Sequence, residues 1–333
     1  MDIRQSNLWA KYLEELGWQT VELPPNFFVY LKKIPFLGAT IKIPRAALPI
    51  PFKEIGRLAS SKNAFFVKLE PSIETSESNV SSVLSLLNTN GYTNERWALN
   101  PLRTIQIDLT KSEEELFANL EKDTRYNVRL AGRRGVAVKQ TNDLEAFKNL
   151  YFTTAKRKGF WPAKKELETL WRIFSKNNAA HILTAFYKNE PLASTLLLHI
   201  TNKGYLGAKA TQDARIPKSS PQSGHRAQSD LLSEAKSFSY AASYYHAASA
   251  EKYREVMAPY FLLWQAMRFL KRRGCTIFDL EGIADPRIPS TKKWKGFTLF
   301  KKGFGGREVE YLGSFTKYYK LWSKILFLPT RFF

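Results

Sequence analysis

Short runs of strand-like alternation and amphipathic helical stretches take turns along almost the whole chain, from Leu8 to Arg273. Neither kind of run can bury its apolar face alone, so the alternation requires sheets covered by helices: a mixed α/β fold rather than a bundle or a sandwich. The spacing predicts a helix over Leu8–Leu16, strands over Trp18–Leu23, Phe27–Pro35 and Ala39–Pro44, and a helix over Pro51–Lys62. A strand at Ala64–Pro71, a helix at Val80–Asn90 and a strand at Arg103–Leu109 follow. From Ser112 a capped, acidic first turn opens a helix that is expected to continue through Arg125, Arg129 and Arg133 to a stop at Gly135.

Beyond Gly135 the theme repeats, with a strand at Val136–Val138, helices at Asp143–Lys158 and Lys165–Lys176, strands at His181–Tyr187 and Leu192–Ile200, and a long helix at Tyr260–Arg273. A chain of 333 residues is long for one core, so two domains are expected, with the second beginning near residue 135. The polar stretch Thr211–Ser243 reads as a surface loop with a short helix near Asp230–Lys236. Near the end, Phe315, Tyr318, Tyr319, Trp322, Ile325 and Leu326 fall on one helical stripe flanked by Lys317, Lys320 and Lys324, which predicts an amphipathic terminal helix suited to core packing or to the headgroup region of a membrane.

Charge narrows the partners. The chain has 51 Lys+Arg against 30 Asp+Glu, a formal net charge of +21, which favours nucleic acid, anionic lipid or phosphorylated substrates. Cys275 is the one cysteine, so no internal disulfide forms and a reducing compartment is expected. No apolar run approaches the ~20 residues of a membrane span, and a cytoplasmic protein is expected. The four histidines, His181, His199, His225 and His246, are scattered, and no metal or cofactor is expected. The phosphate-binding GxxxxGK[ST] and GxGxxG patterns are missing, as are GxSxG and HExxH. If the chain is a transferase, its energy-rich substrate must arrive already activated.

Three segments carry chemical signals. Lys122, Arg125, Arg129, Arg133 and Arg134 form a basic helix face, either a phosphate-backbone contact or a solvated surface. The run Phe300-Lys301-Lys302-Gly303-Phe304-Gly305-Gly306 joins a lysine pair to glycines that either admit a ligand close to backbone or form a turn. Tyr253-Arg254-Glu255-Val256-Met257-Ala258-Pro259-Tyr260 opens a helix with proline in its first turn.

As an ordered set, SNLWAKYLEELGW, FVKLEP, TIQIDL, KDTRYNVRLAGRRGV, YREVMAPYFLLW, GCTIFDLEGI and FKKGFGGREVEYLGSF resemble the FemABX family of non-ribosomal peptidyl transferases over nearly the whole chain. The resemblance implies two acetyltransferase-like domains with mixed sheets, the C-terminal segment returning to the first. Residues 1–134 with 312–333 would bind the precursor, and 135–311 would form the second domain with an inserted loop at about 211–243. It implies a tRNA-dependent aminoacyltransferase that adds an amino acid from aminoacyl-tRNA to the stem peptide of a lipid-linked or UDP-linked peptidoglycan precursor. Peripheral contact with the inner leaflet would go with that role. By position, Lys301 and Phe300 would serve the transfer step, with Lys301 exposed or lining a channel. Lys11, Glu70, His246, Arg254 and Lys164 (or Lys165 in its place) would face the precursor, and Arg125, Arg129 and Arg133 the tRNA. His246 lies on Tyr244–Ala250, favoured over Tyr205–Thr211 as the substrate-facing strand. No long helical hairpin arm is present, so tRNA would lie on the globular surface. The alternative from another class is a non-catalytic basic protein that binds nucleic acid or membrane.

Overall fold

The computed structural model describes residues 2–24, 26–36, 38–200 and 241–320. Two mixed sheets organise them. The first has the strand order β1-β2-β3-β4-β13-β5, built from Gln19–Leu23, Phe27–Ile34, Gly38–Ala46, Ala64–Pro71, Ser314–Tyr318 and Thr93–Glu95. The second has the order β12-β6-β11-β10-β9-β8-β7, built from Arg307–Glu310, Arg103–Asp108, Ile277–Asp279, Ala241–Ser249, Glu190–His199, Ala180–Tyr187 and Ala137–Gln140. Each sheet holds one parallel pair. A helix bridges each pair, as parallel strands require: α2 (Phe52–Ser61) between β3 and β4, and the long helix Ala258–Arg272 between β10 and β11.

The remaining helices are α1 (Asn7–Glu15), α3 (Val80–Thr89), α4 (Glu113–Ala118), α5 (Lys122–Arg133), α6 (Leu144–Lys158) and α7 (Lys164–Lys176); Ala258–Arg272 is α8 and Lys295–Lys302 is α9. Alternation along the strands sorts side chains into three cores. On β2, Phe27, Val29 and Leu31 enter the core shared with α2 and α3, whereas Phe28 and Tyr30 enter a central core with α1, α6 and α7. That central core also takes Ile182, Leu196 and Leu198 from β8 and β9, so the two sheets share apolar contacts through α1. The third core packs the other face of the second sheet on α5 and α8. No helix among the described residues is long and apolar enough to cross a membrane.

Three expectations change. The helix from Ser112 is two helices, because the Glu121 amide donates to the Gly303 carbonyl (2.9 Å) and Arg125 donates to the Ala118 and Leu120 carbonyls, holding a corner between α4 and α5. Residues 314–318 form a strand rather than the start of a terminal helix: β13 pairs antiparallel with β4 on one side and β5 on the other. The stripe misled because Phe315 and Tyr319, four apart, share a face in either period; Trp322, Ile325 and Leu326 lie outside the described residues, as does the helix expected near 230–236. Third, strand pairing divides the chain near residue 100, not at 134, since β6 belongs to the second sheet and Leu116, Leu120 and Val128 to its core.

Within the second sheet, His181 and His199 stack at 5.1 Å with their Nε2 atoms 2.9 Å apart. Burial pushes His181 down to about 3 and His199 to about 4, aided by each other's proximity for His181 and by Arg273 for both. Burial likewise holds His246 at about 4. Below pH 6.5 the unfolded chain therefore gains protons that the folded chain refuses, and stability falls by about 1.4 kcal/mol per pH unit for each such proton. Asp279, raised to about 6 by burial and by Glu281, offsets one of them. The urea midpoint should drop clearly from pH 7 to pH 5, and less so in His199→Asn; equal midpoints at both pH values would contradict a neutral buried pair.

Candidate active site between the two sheets

The site starts with the N-terminal turn Ile3–Gln5. Asp2 caps it by accepting from the Arg4 amide (2.8 Å). Gln5 ties it to the first sheet, donating to the Pro44 (2.7 Å) and Phe28 (3.2 Å) carbonyls and accepting from the Phe28 amide (2.9 Å). Arg4 then crosses to the second sheet: Nη2 donates to both carboxylate oxygens of Glu281 at 2.9 Å, while Nη1 bonds both oxygens of Asp2 at 3.2 Å. The Arg4 and Glu281 side chains are 7% and 15% exposed.

Glu281 stands just past β11, with φ +60. Alternation through Asp279-Leu280-Glu281 sends Leu280 into the core and both carboxylates to the other side. Asp279 accepts from the Glu281 amide (2.7 Å), Thr104 Oγ1 and Gln106 Nε2 (3.3 Å), and Ser243 Oγ donates to Glu281 (2.5 Å). Lys301 Nζ closes the turn from behind, donating to the carbonyls of Gly282 (2.7 Å) and Glu281 (3.3 Å). The turn tolerates no side chain at Gly282, where a Cβ would lie 2.6 Å from Pro101. Arg45 lies 3.6 Å over the Tyr311 ring and 3.6 Å from Asp2, with Nη1 buried and without a hydrogen-bond partner.

These groups surround a cavity of about 190 Å³ lined by Asp2, Arg4, Ser72, Glu74, Glu77, Gln106, Ser243, Asp279, Glu281 and Tyr311, among others. Its titration is set by burial and by opposed charges. Burial raises the Asp279 carboxyl to about 6, with the Glu281 charge adding to the effect. Burial lowers Lys301 to about 8 against the pull of Glu281 and Asp279. For Asp2, burial is outweighed by Arg4 and Arg45, which hold it below the usual range. The arrangement offers proton-accepting carboxylates on one turn, at the edge of a space for a small reacting group, with the Lys301 cation of α9 bonded to the backbone behind them. No group of His, Cys, Asp and Glu among the described residues is placed to hold a metal ion.

The sequence-predicted residues distribute around this centre. Lys301 is buried and packed, 8% exposed, which corrects the surface or channel position expected for it: its amine is taken up by two backbone carbonyls. Phe300 packs on Tyr260 and Phe304 at 5.0 and 5.3 Å. The glycines of that run serve packing: a Cβ at Gly303 or Gly305 would meet Thr124 or the Asn119 carbonyl at 2.2 and 2.1 Å. Glu70, expected to face a peptide, is fully buried and accepts from the Leu99 and Asn100 amides, the Asn100 side chain and Ser314. His246 bonds Tyr151 at 3.0 Å. Lys11 on α1 and Lys164 at the start of α7 are exposed on two helices that pack together.

Arg254, ion-paired to Glu251 at 2.5 Å, lines a second cavity of about 490 Å³ with Arg157, Lys158, Lys252 and the start of α8. Arg134 of the basic face donates to the Glu255 carbonyl at its rim. Arg129 and Arg133 are exposed, while Arg125 is half-buried in the α4–α5 corner. Sequence reasoning missed Asp2, Arg4, Arg45, Asp279 and Glu281; a polar pair two apart in the apolar run Ile277–Ile283 was the available signal.

The model of the FemAB family matches residues 44–185 and 236–324. Lipid II:glycine glycyltransferase of Staphylococcus haemolyticus (strain JCSC1435) is 23% identical over 372 residues, spanning 94% of this chain and 87% of the relative. The protein of that name from Staphylococcus epidermidis (strain ATCC 12228 / FDA PCI 1200) is 22% identical over 365 residues, with the same coverage. Among solved structures, FemX matches with a TM-score of 0.74 at 16% identity, covering 98% of this chain and 94% of its own.

The Arg4–Glu281 pair should behave as a buried ion pair. Arg4→Met strands the Glu281 charge and should cost about 3–5 kcal/mol in urea denaturation, and Arg4→Met/Glu281→Leu should recover at least half of it. A loss under ~1 kcal/mol in the single variant would mean that the pair is solvated.

Proposed function

The chain belongs to the FemAB family, and on that premise we propose that it is an aminoacyltransferase acting on the stem peptide of a lipid-linked peptidoglycan precursor, with aminoacyl-tRNA as donor. The observation that carries the reading is the turn Asp279–Gly282, where two half-buried carboxylates border a cavity and Lys301 is bonded to the backbone behind them. The acceptor arrives as an ammonium, which the carboxylate-rich cavity suits. Asp279 or Glu281 takes its proton; Asp279, held at about 6, is poised for that transfer near neutral pH. The amine nitrogen then bonds to the ester carbonyl carbon, its second proton passes to the ribose oxygen, and the ester C–O bond breaks as that oxygen leaves as a hydroxyl. Lys301 works from behind the turn: its bonds to the Gly282 and Glu281 carbonyls hold the two carboxylates in position and set a positive charge behind them.

Two polyanions need two basic surfaces. The face of Arg129 and Arg133, joined by Arg134 to the cavity of Arg157, Lys158, Lys252 and Arg254, suits the tRNA backbone. Lys11 and Lys164 suit the precursor diphosphate as charge-assisted partners. A lipid-linked acceptor places the reaction at the inner face of the plasma membrane, and the enzyme in the cytoplasm.

Purified protein given labelled aminoacyl-tRNAs should transfer label to soluble UDP-linked or lipid-linked precursor. Lys301→Met, which keeps the side-chain volume but removes the bonds to the Glu281 and Gly282 carbonyls, should lower the melting temperature and, assayed well below that temperature where it is still folded, should slow single turnover at least ~100-fold. Transfer by neither protein to either acceptor, or a wild-type rate in Lys301→Met, would overturn the reading. Arg129→Gln/Arg133→Gln should reduce the slope of log affinity for tRNA against log salt by about 1–2; an unchanged slope would mark that face as merely solvated.

A further inference from the structure

The corner between α6 and α7 presents aromatic surface where water would be expected. Trp161 is 96% exposed and Phe160 37%. A lone surface aromatic is ordinary, but this corner is built. Gly159 ends α6 in the left-handed region at φ +70, the Phe160 amide donates to the Ala155 carbonyl at 3.1 Å, and the Phe160 ring rests on Tyr151 at 5.7 Å. Tyr151 in turn bonds His246, so the corner is fixed to a strand beside the candidate site while the indole of Trp161 points away from it into solvent.

The charges around it are arranged for an external anion. Lys156, Lys158, Lys164 and Lys165 are exposed, and none ion-pairs within 4 Å with a described carboxylate. Lys156 and Lys158 suit the C-terminal end of α6. Lys164 and Lys165 do not suit their place: they occupy the first turn of α7, where the helix dipole is positive and lysine is unfavourable. Close by, Glu166 acts on Lys42 of β3, and Lys42 and Lys32 lie over the Trp18 ring at 3.7 and 5.6 Å. The β2–β3 hairpin of that ladder carries exposed Lys32, Lys33 and Pro35 and a wholly exposed Phe36 at its tip.

We propose that the α6–α7 corner, with the β2–β3 hairpin as its neighbour, is a docking element for an anionic phospholipid surface: Trp161 and Phe160 enter the interface and the flanking lysines meet the headgroups. Aromatic rings beside lysines fit that region chemically, the rings at the headgroup level and the ammonium groups on lipid phosphate. The proposal rests on the reading of a lipid-linked acceptor, whose reactive end would then reach the site over the Tyr151–His246 contact.

The test uses the full chain and vesicles of phosphatidylglycerol with phosphatidylcholine, against phosphatidylcholine alone. Wild type should sediment with the anionic vesicles at low salt and be released at high salt. Trp161→Ala and Lys156→Gln/Lys165→Gln should each bind at least tenfold more weakly. Trp161→Ala should also slow transfer to a vesicle-embedded acceptor while leaving transfer to the soluble UDP-linked precursor unchanged. Vesicle binding lost in Trp161→Ala supports the element even if no acceptor is modified, in which case the enzymatic reading alone fails. No vesicle binding by wild type, equal binding by all three proteins, or weakened tRNA binding with vesicle binding intact would overturn the docking element and leave the enzymatic reading standing.

Discussion

The Arg4–Glu281 clamp is the interaction on which the site's geometry depends. Arg4 is anchored to the first sheet through the Gln5 bonds to β2 and β3, and its guanidinium grips a carboxylate at the end of β11 in the second sheet with two bonds of 2.9 Å. Desolvating both charges is expensive, and only such bidentate geometry with further hydrogen bonds offsets it. Here Ser243 and Asp2 supply them. The clamp fixes where the Asp279–Gly282 turn stands, and the turn fixes Lys301. Charge balance inside the cluster is close, with Arg4, Arg45 and Lys301 facing Asp2, Asp279 and Glu281. Removing any one of them leaves a buried charge.

The central core does by packing what the clamp does by charge. Trp9 of α1 meets Phe174 of α7 at 6.5 Å and Tyr245 of β10 at 6.1 Å, while Tyr30 of β2 donates to the Arg4 carbonyl at 2.8 Å. Aromatic side chains from both sheets thus converge on one short helix. The carboxylate-rich cavity lies within this joined body, and the basic cavity and Arg129–Arg133 lie toward α5 and α8. On the proposed reading, that separation would keep polyanions off the carboxylates and leave the cavity to a cationic group.

Much of the fold was legible because period decides it. Ala64–Pro71 reads as a strand at the bounds it adopts, and α2, α3 and α6 lie within a residue or two of their apolar stripes. The failures have one physical root: tertiary contacts that periodicity does not encode. Phe315 and Tyr319 satisfy both periods, and pairing with β4 and β5 selects the strand. The corner between α4 and α5 is made by Gly303, far along the chain. Among candidate residues, the burial of Lys301 was not legible, because the carbonyls that take its amine lie 19 and 20 residues back in the chain. Glu70 was misread, because nothing in FVKLEP reveals that the loop at 99–100 returns to cap its carboxylate. Arg4, Asp279 and Glu281 each look like isolated polar residues, and only the approach of two sheets turns them into a site.

The central claim is that transfer takes place at the seam cavity, beside the carboxylates of the Asp279–Gly282 turn that Lys301 holds from behind. A structure determined with a soluble UDP-linked precursor bearing its stem peptide tests this most directly. The account predicts the acceptor amine in the cavity of about 190 Å³, its nitrogen within ~3 Å of an Asp279 or Glu281 oxygen. An ordered precursor whose amine lies elsewhere, with the seam cavity unfilled, would contradict it.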